Sequence, residues 1–224
     1  MSRSENEDSN AILGSPLLFE NSDLEVMLRL AIRTNLDALS RAVENALVDR
    51  VKNNVDNVPL IRSLALAEEL GMRKFQGRLY YSELVRQESL QTGIQLFTTS
   101  HTNGLTEKQL LTLFRGYWSL MHYWKNLLSI VQNTPLPLIP PCVPVVHKRC
   151  QAIWVDTFTD TSPLNFGPLD ELKKLRSSLT LSLKNDVYSR GEARPCGPRE
   201  LYEITRQIQE NLADHFLGPG PEAL

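Results

Sequence analysis

A chain of 224 residues, 42% hydrophobic and 22% charged, has the composition of a globular protein with ample core. Its formal charge of −2 provides no basic field to gather nucleic acid or acidic lipid, and no apolar run reaches the roughly 18 residues of a membrane helix. Three cysteines, an odd number, and the lack of a charged-then-apolar leader at Met1 fit reduced thiols in the cytoplasm or nucleus.

Residues 1–13 are mostly small and polar and read as a disordered tail. Ser22 and Glu25 form a capping box ahead of Leu24, Met27, Leu28 and Ala31 at helical spacing, so the first helix is expected to start near Ser22. The chain then repeats itself after 36 residues: the apolar pattern from Leu24 to Val48 recurs from Leu60 to Leu84. A repeat of this length is the mark of stacked helical hairpins, each unable to bury its apolar face alone. Asn35 and Gly71 fall at equivalent places and suit the left-handed conformation that ends a helix. The second helices of the two pairs are predicted over 37–52 and 73–87, giving hairpin repeats at 22–53 and 59–87, with Pro59 in the first turn of the third helix.

Residues 88–104 read as a long connection in which Ile94, Leu96 and Phe97 tuck inward. Thr106 and Gln109 form another capping box, flanked by the staple pair Leu105 and Leu110. The helix they open carries Leu110, Phe114, Tyr117, Met121, Trp124, Leu128 and Val131 as its apolar stripe, which predicts about 25 residues and a length of about 37 Å. Prolines at 135, 137, 140, 141 and 144 then impose an extended run. Helix is expected to resume near Val146 and to hold Cys150, Ile153, Trp154 and Phe158. Pro168 opens a helix with Leu172, Leu175, Leu179 and Leu183; a polar loop spans 185–197; and Pro198 opens a last helix with Leu201, Ile204, Ile208, Leu212 and Phe216, closed by Gly218 and Pro219. No run alternates as a strand does. The fold class is therefore all-α, with about eight helices: stacked hairpins, a long central helix and two further C-terminal helices. A helical domain over 14–184 is expected, with the helix at 198–217 packed on it and a tail over 218–224.

The pattern with metal-ligand spacing is Cys142-x4-His147-x2-Cys150, because thiolates and an imidazole on a short segment can converge on zinc. A fourth ligand has to come through folding, from Cys196, His122, His101 or Asp156. Against this stands the reading of Cys150 as a small buried apolar residue, Cys142 as a loop residue and His147 as part of a solvated His-Lys-Arg run. His147 and Cys150, three apart on a helix, also have the spacing of a thiol and its base, but no glycine elbow, oxyanion donor or acidic orienter accompanies them. His122 lies off the main stripe and reads as a partly buried hydrogen-bonding residue. Glu68 and Glu69 cannot share a helix face, and Asp156 with Asp160 reads as a solvated face. Tyr117, Trp118, Tyr123 and Trp124 offer rings for stacking bases, yet only Arg115 and Lys125 flank them, so core packing is favoured, with Trp118 or Tyr123 left over to face a partner.

Four segments together carry a family resemblance: LRLAIRTNLDALSRAVENAL, LALAEELGMRKFQGRLYYSELVRQ, GLTEKQLLTLFRGYWSL, and the H-x2-C-x3-W of His147, Cys150 and Trp154. Over residues 22–158 the chain resembles the BACK-like helical region that follows the BTB/POZ domain in many fungal proteins, without the BTB domain itself. The resemblance implies a noncatalytic protein–protein interaction module, in the setting of a ubiquitin-ligase adaptor. Another protein is then the expected partner, through a groove of the hairpins or the proline-rich segment 135–144, with no enzyme activity, cofactor, nucleic acid or membrane involved. The alternative is a small zinc-binding regulatory protein using Cys142, His147 and Cys150.

Overall fold

The computed structural model describes residues 19–53, 58–90, 104–140, 142–159, 168–186 and 196–220. Among them are nine helices and no strand: α1 (Asn21–Arg33), α2 (Asp37–Asn53), α3 (Val58–Glu69), α4 (Arg73–Leu90), α5 (Glu107–Asn133), α6 (Pro144–Thr159), α7 (Pro168–Asp186), α8 (Gly197–Glu210) and α9 (Leu212–Leu217). The fold is all-α, and no helix among the described residues is long and apolar enough to cross a membrane. The expected tail over 1–13 and most of the connections at 88–104 and 185–197 lie outside the described residues.

Where the sequence reads as one helical domain over 14–184, the chain groups into two compact units, Met1–Gly116 with Phe216–Leu224, and Tyr117–His215. The boundary falls inside α5, whose unbroken hydrogen bonding gives the sequence no linker to show.

In the first unit, α1 packs on α2, α2 on α4 and α3 on α4. The two halves of the repeat turn alike. Leu36 N–H donates to Ala31 O at 2.8 Å and Asn35 N–H to Ile32 O at 3.2 Å; one period later Met72 N–H donates to Ala67 O at 2.8 Å and Gly71 N–H to Glu68 O at 3.2 Å. Each is a Schellman motif, in which a left-handed residue reverses the chain while satisfying two orphan carbonyls. Asn35 (φ 54°) and Gly71 (φ 65°) supply that conformation, as the sequence predicts. Leu24, Leu28, Ala31, Val43 and Val48 are buried in the first copy, and so are their counterparts Leu60, Leu64, Ala67, Leu79 and Leu84 in the second. Leu30 and Leu36 are exposed, whereas Leu66, the counterpart of Leu30, is buried. α4 is buried nearly all round from Phe75 to Arg86, which makes it the interior helix of this unit. It carries an ion pair inside, Arg86 to Glu83 at 2.6 Å, with both side chains almost wholly buried.

Four local expectations need correction. The first helix starts at Asn21, near Ser22 as expected, but its capping box pairs Glu20 with Asp23, not Ser22 with Glu25: the Asp23 carboxylate accepts from Glu20 N–H at 3.0 Å. Glu25 is thereby free to pair with Arg62 of α3, Nε to Oε1 at 3.0 Å. The buried line of α5 is Leu113, Gly116, Leu120, Trp124, Leu127 and Val131, so Trp124 and Val131 belong to it but Phe114 is exposed and Tyr117, Met121 and Leu128 are only half-buried. The two stripes have the same period; Gly116 belongs to the buried one because Phe216 of α9 occupies the space its missing side chain leaves. α6 begins at Pro144 and not Val146, since proline fits a first helical turn at no cost in hydrogen bonds. The last helix breaks at Asn211 into α8 and α9, with Asn211 N–H still donating to Gln207 O at 3.0 Å.

The Thr106–Gln109 box is present in both directions: Thr106 N–H to Gln109 Oε1 at 2.9 Å, and Gln109 N–H to Thr106 Oγ1 at 3.2 Å. α5 runs for 27 residues, or about 40 Å.

In the second unit α6 packs on α7, and α7 on α8. The proline-rich strap at 135–139 is non-helical, as predicted, and is tied down at Leu136, whose side chain is buried and whose N–H donates to Gln151 Oε1 of α6. Trp154 and Phe158, one turn apart on α6, stack obliquely with ring centroids 4.8 Å apart in the core.

Candidate metal centre

Cys142 sits at the end of the strap, buried, its N–H donating to Ile139 O at 3.0 Å. Two residues later α6 begins, and its first turn carries His147, whose N–H donates to Val143 O at 2.8 Å. Cys150 follows three residues on, on the same face of the helix and fully buried. Cys196 arrives from the other end of the unit as the residue that caps α8; its carbonyl accepts from Arg199 N–H at 3.0 Å and Glu200 N–H at 2.9 Å. Gly197 and a proline in the first turn start α8 tightly there. A side chain at Gly197 would meet Leu179 of α7 at 2.9 Å, so the glycine lets α8 begin close against its neighbour and fixes where Cys196 stands. Arg199 closes the corner by donating to Pro140 O in the strap.

The sulfurs of Cys142 and Cys196 and a ring nitrogen of His147 all lie within 4.8 Å of one another. His147 Nδ1 and Cys196 Sγ are hydrogen-bonded at 3.2 Å across 49 residues of chain. On tetrahedral zinc, with Zn–S about 2.3 Å and Zn–N about 2.0–2.1 Å, neighbouring donor atoms stand about 3.4–3.8 Å apart. The wider pairs therefore need to draw in by at most about 1.4 Å, and the His147–Cys196 pair is already at that range's inner edge. The Cys142–His147 part of the sequence pattern and the first-named candidate for the further ligand, Cys196, converge here. Of the other candidates, His122 and Asp156 are exposed, and His101 lies outside the described residues.

Burial sets the electrostatics. It pushes the Cys150 thiol above its ordinary pKa, and pushes Cys196 up to about 12, with the neighbouring Cys150 and Cys142 adding to the effect on Cys196. Metal-free, the Cys150 and Cys196 thiols stay protonated, because a buried anion lacks water and the two repel if both are charged. A divalent cation inverts that logic: it replaces the protons and neutralises the thiolates.

The same facts argue against a cysteine nucleophile. His147 pairs with Cys196 and not with Cys150, the partner that helical spacing suggests. A reactive thiol needs a depressed pKa and access, whereas Cys196 has a raised pKa and, like Cys150, no exposed surface. All three cysteines are free and buried.

The remaining candidates separate. Glu68, Glu69 and Asp156 are exposed, with Glu69 held by Arg29 (Nη2 to Oε2 at 2.7 Å), while Asp160 lies outside the described residues. Of the four aromatic residues, Trp124 is core, Trp118 is 65% exposed, and Tyr123 meets the ring of His215 edge-on at 5.7 Å. Sequence reasoning passes over His215, whose Nδ1 is hydrogen-bonded to Ser119 Oγ at 2.8 Å and whose pKa is lowered by burial. Those two residues are 96 positions apart, and no local pattern links them.

No family model, curated protein or solved structure matches the chain.

Proposed function

We propose that this is a noncatalytic helical protein whose Tyr117–His215 unit is held together by a structural zinc ion, and whose helical pairs present a surface to another protein. The observation that carries the first part is the convergence of Cys142, His147 and Cys196 within 4.8 Å, from the strap, the start of α6 and the cap of α8. Soft thiolate and imidazole donors favour zinc over magnesium or calcium. A site built where three chain segments meet adds cohesion to the packing of that unit. Support for the second part is the 36-residue repeat with its matched Schellman turns, together with the similarity of residues 22–158 to the helical region of BTB-domain proteins. Val26 and Leu30, one turn apart on α1, are 64% and 53% exposed and offer an apolar face there.

One experiment tests both parts. The tagged full-length chain is captured from cells, its zinc is measured against protein, and co-purifying proteins are compared with those of a Val26→Ser/Leu30→Ser variant. One zinc per chain, and a specific partner lost in the variant, are the expected results. Zinc at background level removes the metal reading, and a partner set unchanged by the variant removes this face of α1 from the interaction.

A further inference from the structure

We infer that the exposed side of α1 is a docking surface for one amphipathic helix of a partner protein, laid parallel to α1 and offering it an apolar residue followed four positions on by an acid. This rests on the reading of that face as an interaction surface and goes beyond it in naming the occupant.

The molecule holds the pattern for this docking in its own repeat. Residues 36 apart occupy equivalent places, so α3 shows what becomes of the same face one copy later. α1 packs against α3 and is tied to it at two points: Arg62 Nε to Glu25 Oε1 at 3.0 Å, and Arg29 Nη2 to Glu69 Oε2 at 2.7 Å. Both chains advance in the same sense from the first tie to the second, so the two helices run parallel. Leu66 lies between the two ties on that side of α3 and is 2% exposed, and Ser63 is buried with it. One period earlier α1 carries Val26, Leu30 and Arg33 at the places of Arg62, Leu66 and Glu69. Here the face is open: Val26 and Leu30 are 64% and 53% exposed, and Arg33 is exposed. A terminal repeat that merely ends a stack carries a polar outer face. α1 instead keeps leucine where α3 buries one, and has valine where α3 has arginine.

The same geometry defines the occupant. Glu25 meets Arg62, and Arg29, four residues on, meets Glu69. A helix placed on α1 as α1 is placed on α3 sets one residue against Val26 and the residue four positions later against Arg33. Valine selects an apolar side chain, arginine selects a carboxylate, and a lysine or arginine at the second position is repelled.

Two stapled helical peptides, identical except for glutamate or lysine four residues after a central leucine, test this by fluorescence anisotropy with the full-length chain. The glutamate peptide is expected to bind about tenfold or more tighter than the lysine peptide, Leu30→Asp to weaken it by a similar factor, and Arg33→Glu to invert the preference. Both side chains are exposed, so neither substitution disturbs the core. Absence of a charge preference, or a preference that Arg33→Glu leaves unchanged, overturns the inference. So does a dimer in sedimentation that Leu30→Asp breaks, because a second copy then covers the face. If the inference fails in either way while Val26→Ser/Leu30→Ser still loses a captured partner, the interaction surface stands with a different occupant; if that variant keeps its partners, the surface reading itself fails.

Discussion

At the scale of single residues, Gly116 shows how a close contact escapes a reading by hydrophobicity. A glycine inside a helix costs about 1 kcal/mol relative to alanine and contributes no apolar surface, so pattern counting treats it as a gap. Here it is buried, and a Cβ in its place would fall within the ring of Phe216, which stacks on Tyr80 with centroids 5.7 Å apart. Counting Gly116 as core selects the stripe through Leu113, Leu120 and Trp124; ignoring it selects the neighbouring stripe through Phe114 and Tyr117. Helix propensity favours Gly116→Ala, and packing opposes it. Packing wins, because the obstacle is an aromatic ring with no open side. The substitution is expected to destabilise by about 1–3 kcal/mol in chemical denaturation. In the background of Phe216→Ala, itself costing about 3–5 kcal/mol, the added penalty is expected to vanish or change sign. Additive losses in the double variant would falsify the contact.

Elements are legible where their ends carry local chemistry. The Thr106–Gln109 box and the turns at Asn35 and Gly71 stand where the sequence places them, because each is decided by residues within one turn of itself. The Glu20–Asp23 box is missed because Glu is an unusual capping residue and Ser22 is the conventional one two positions on. The break at Asn211 is missed because the apolar spacing continues across it from Ile208 to Leu212 and Phe216. The metal centre divides the same way. Cys142 and His147 are read from spacing on one segment, while Cys150, read from the same spacing, is not among the three clustered donors, and choosing Cys196 among four candidates requires knowing how the second unit folds.

The paired turns allow a test that separates backbone strain from packing. Gly71 has φ 65° and nothing within 4 Å of where a Cβ would stand, so Gly71→Ala meets no neighbour. Its cost is the left-handed backbone alone, about 1–2 kcal/mol. Asn35, at φ 54°, already carries a side chain there, and Asn35→Gly is expected to be neutral or stabilising by a few tenths of a kcal/mol. Urea titrations of both variants check the asymmetry. Tolerance of alanine at Gly71 would contradict the Schellman geometry of the second hairpin.

At the scale of the whole molecule, the two units differ in what they bury. The core of the first comes from its helices: Leu24, Leu28, Leu60, Leu64, Phe75 and Leu79 are all essentially inaccessible, and no group of metal-ligating residues among its described residues draws together. In the second, Cys142, Cys150 and Cys196 are buried, as are Trp154, Phe158 and Leu179, so thiols take core positions that aliphatic residues could fill. Replacing hydrocarbon by thiols surrenders burial energy unless a metal joins them, and the joined segments lie 49 residues apart at His147 and Cys196. Free zinc at a thousand times its dissociation constant adds about 4 kcal/mol to whatever it binds in the folded state. Chelation is therefore expected to act on one unit. Hydrogen exchange with and without a strong chelator should show amide protection falling in α6, α7 and α8, while α1 to α4 exchange at unchanged rates. Equal loss of protection in all of them would mean that the units unfold together and that the metal stabilises the whole chain. No change anywhere, in a sample shown to have lost its zinc, would leave the thiols as packing residues and take the metal out of the account of stability.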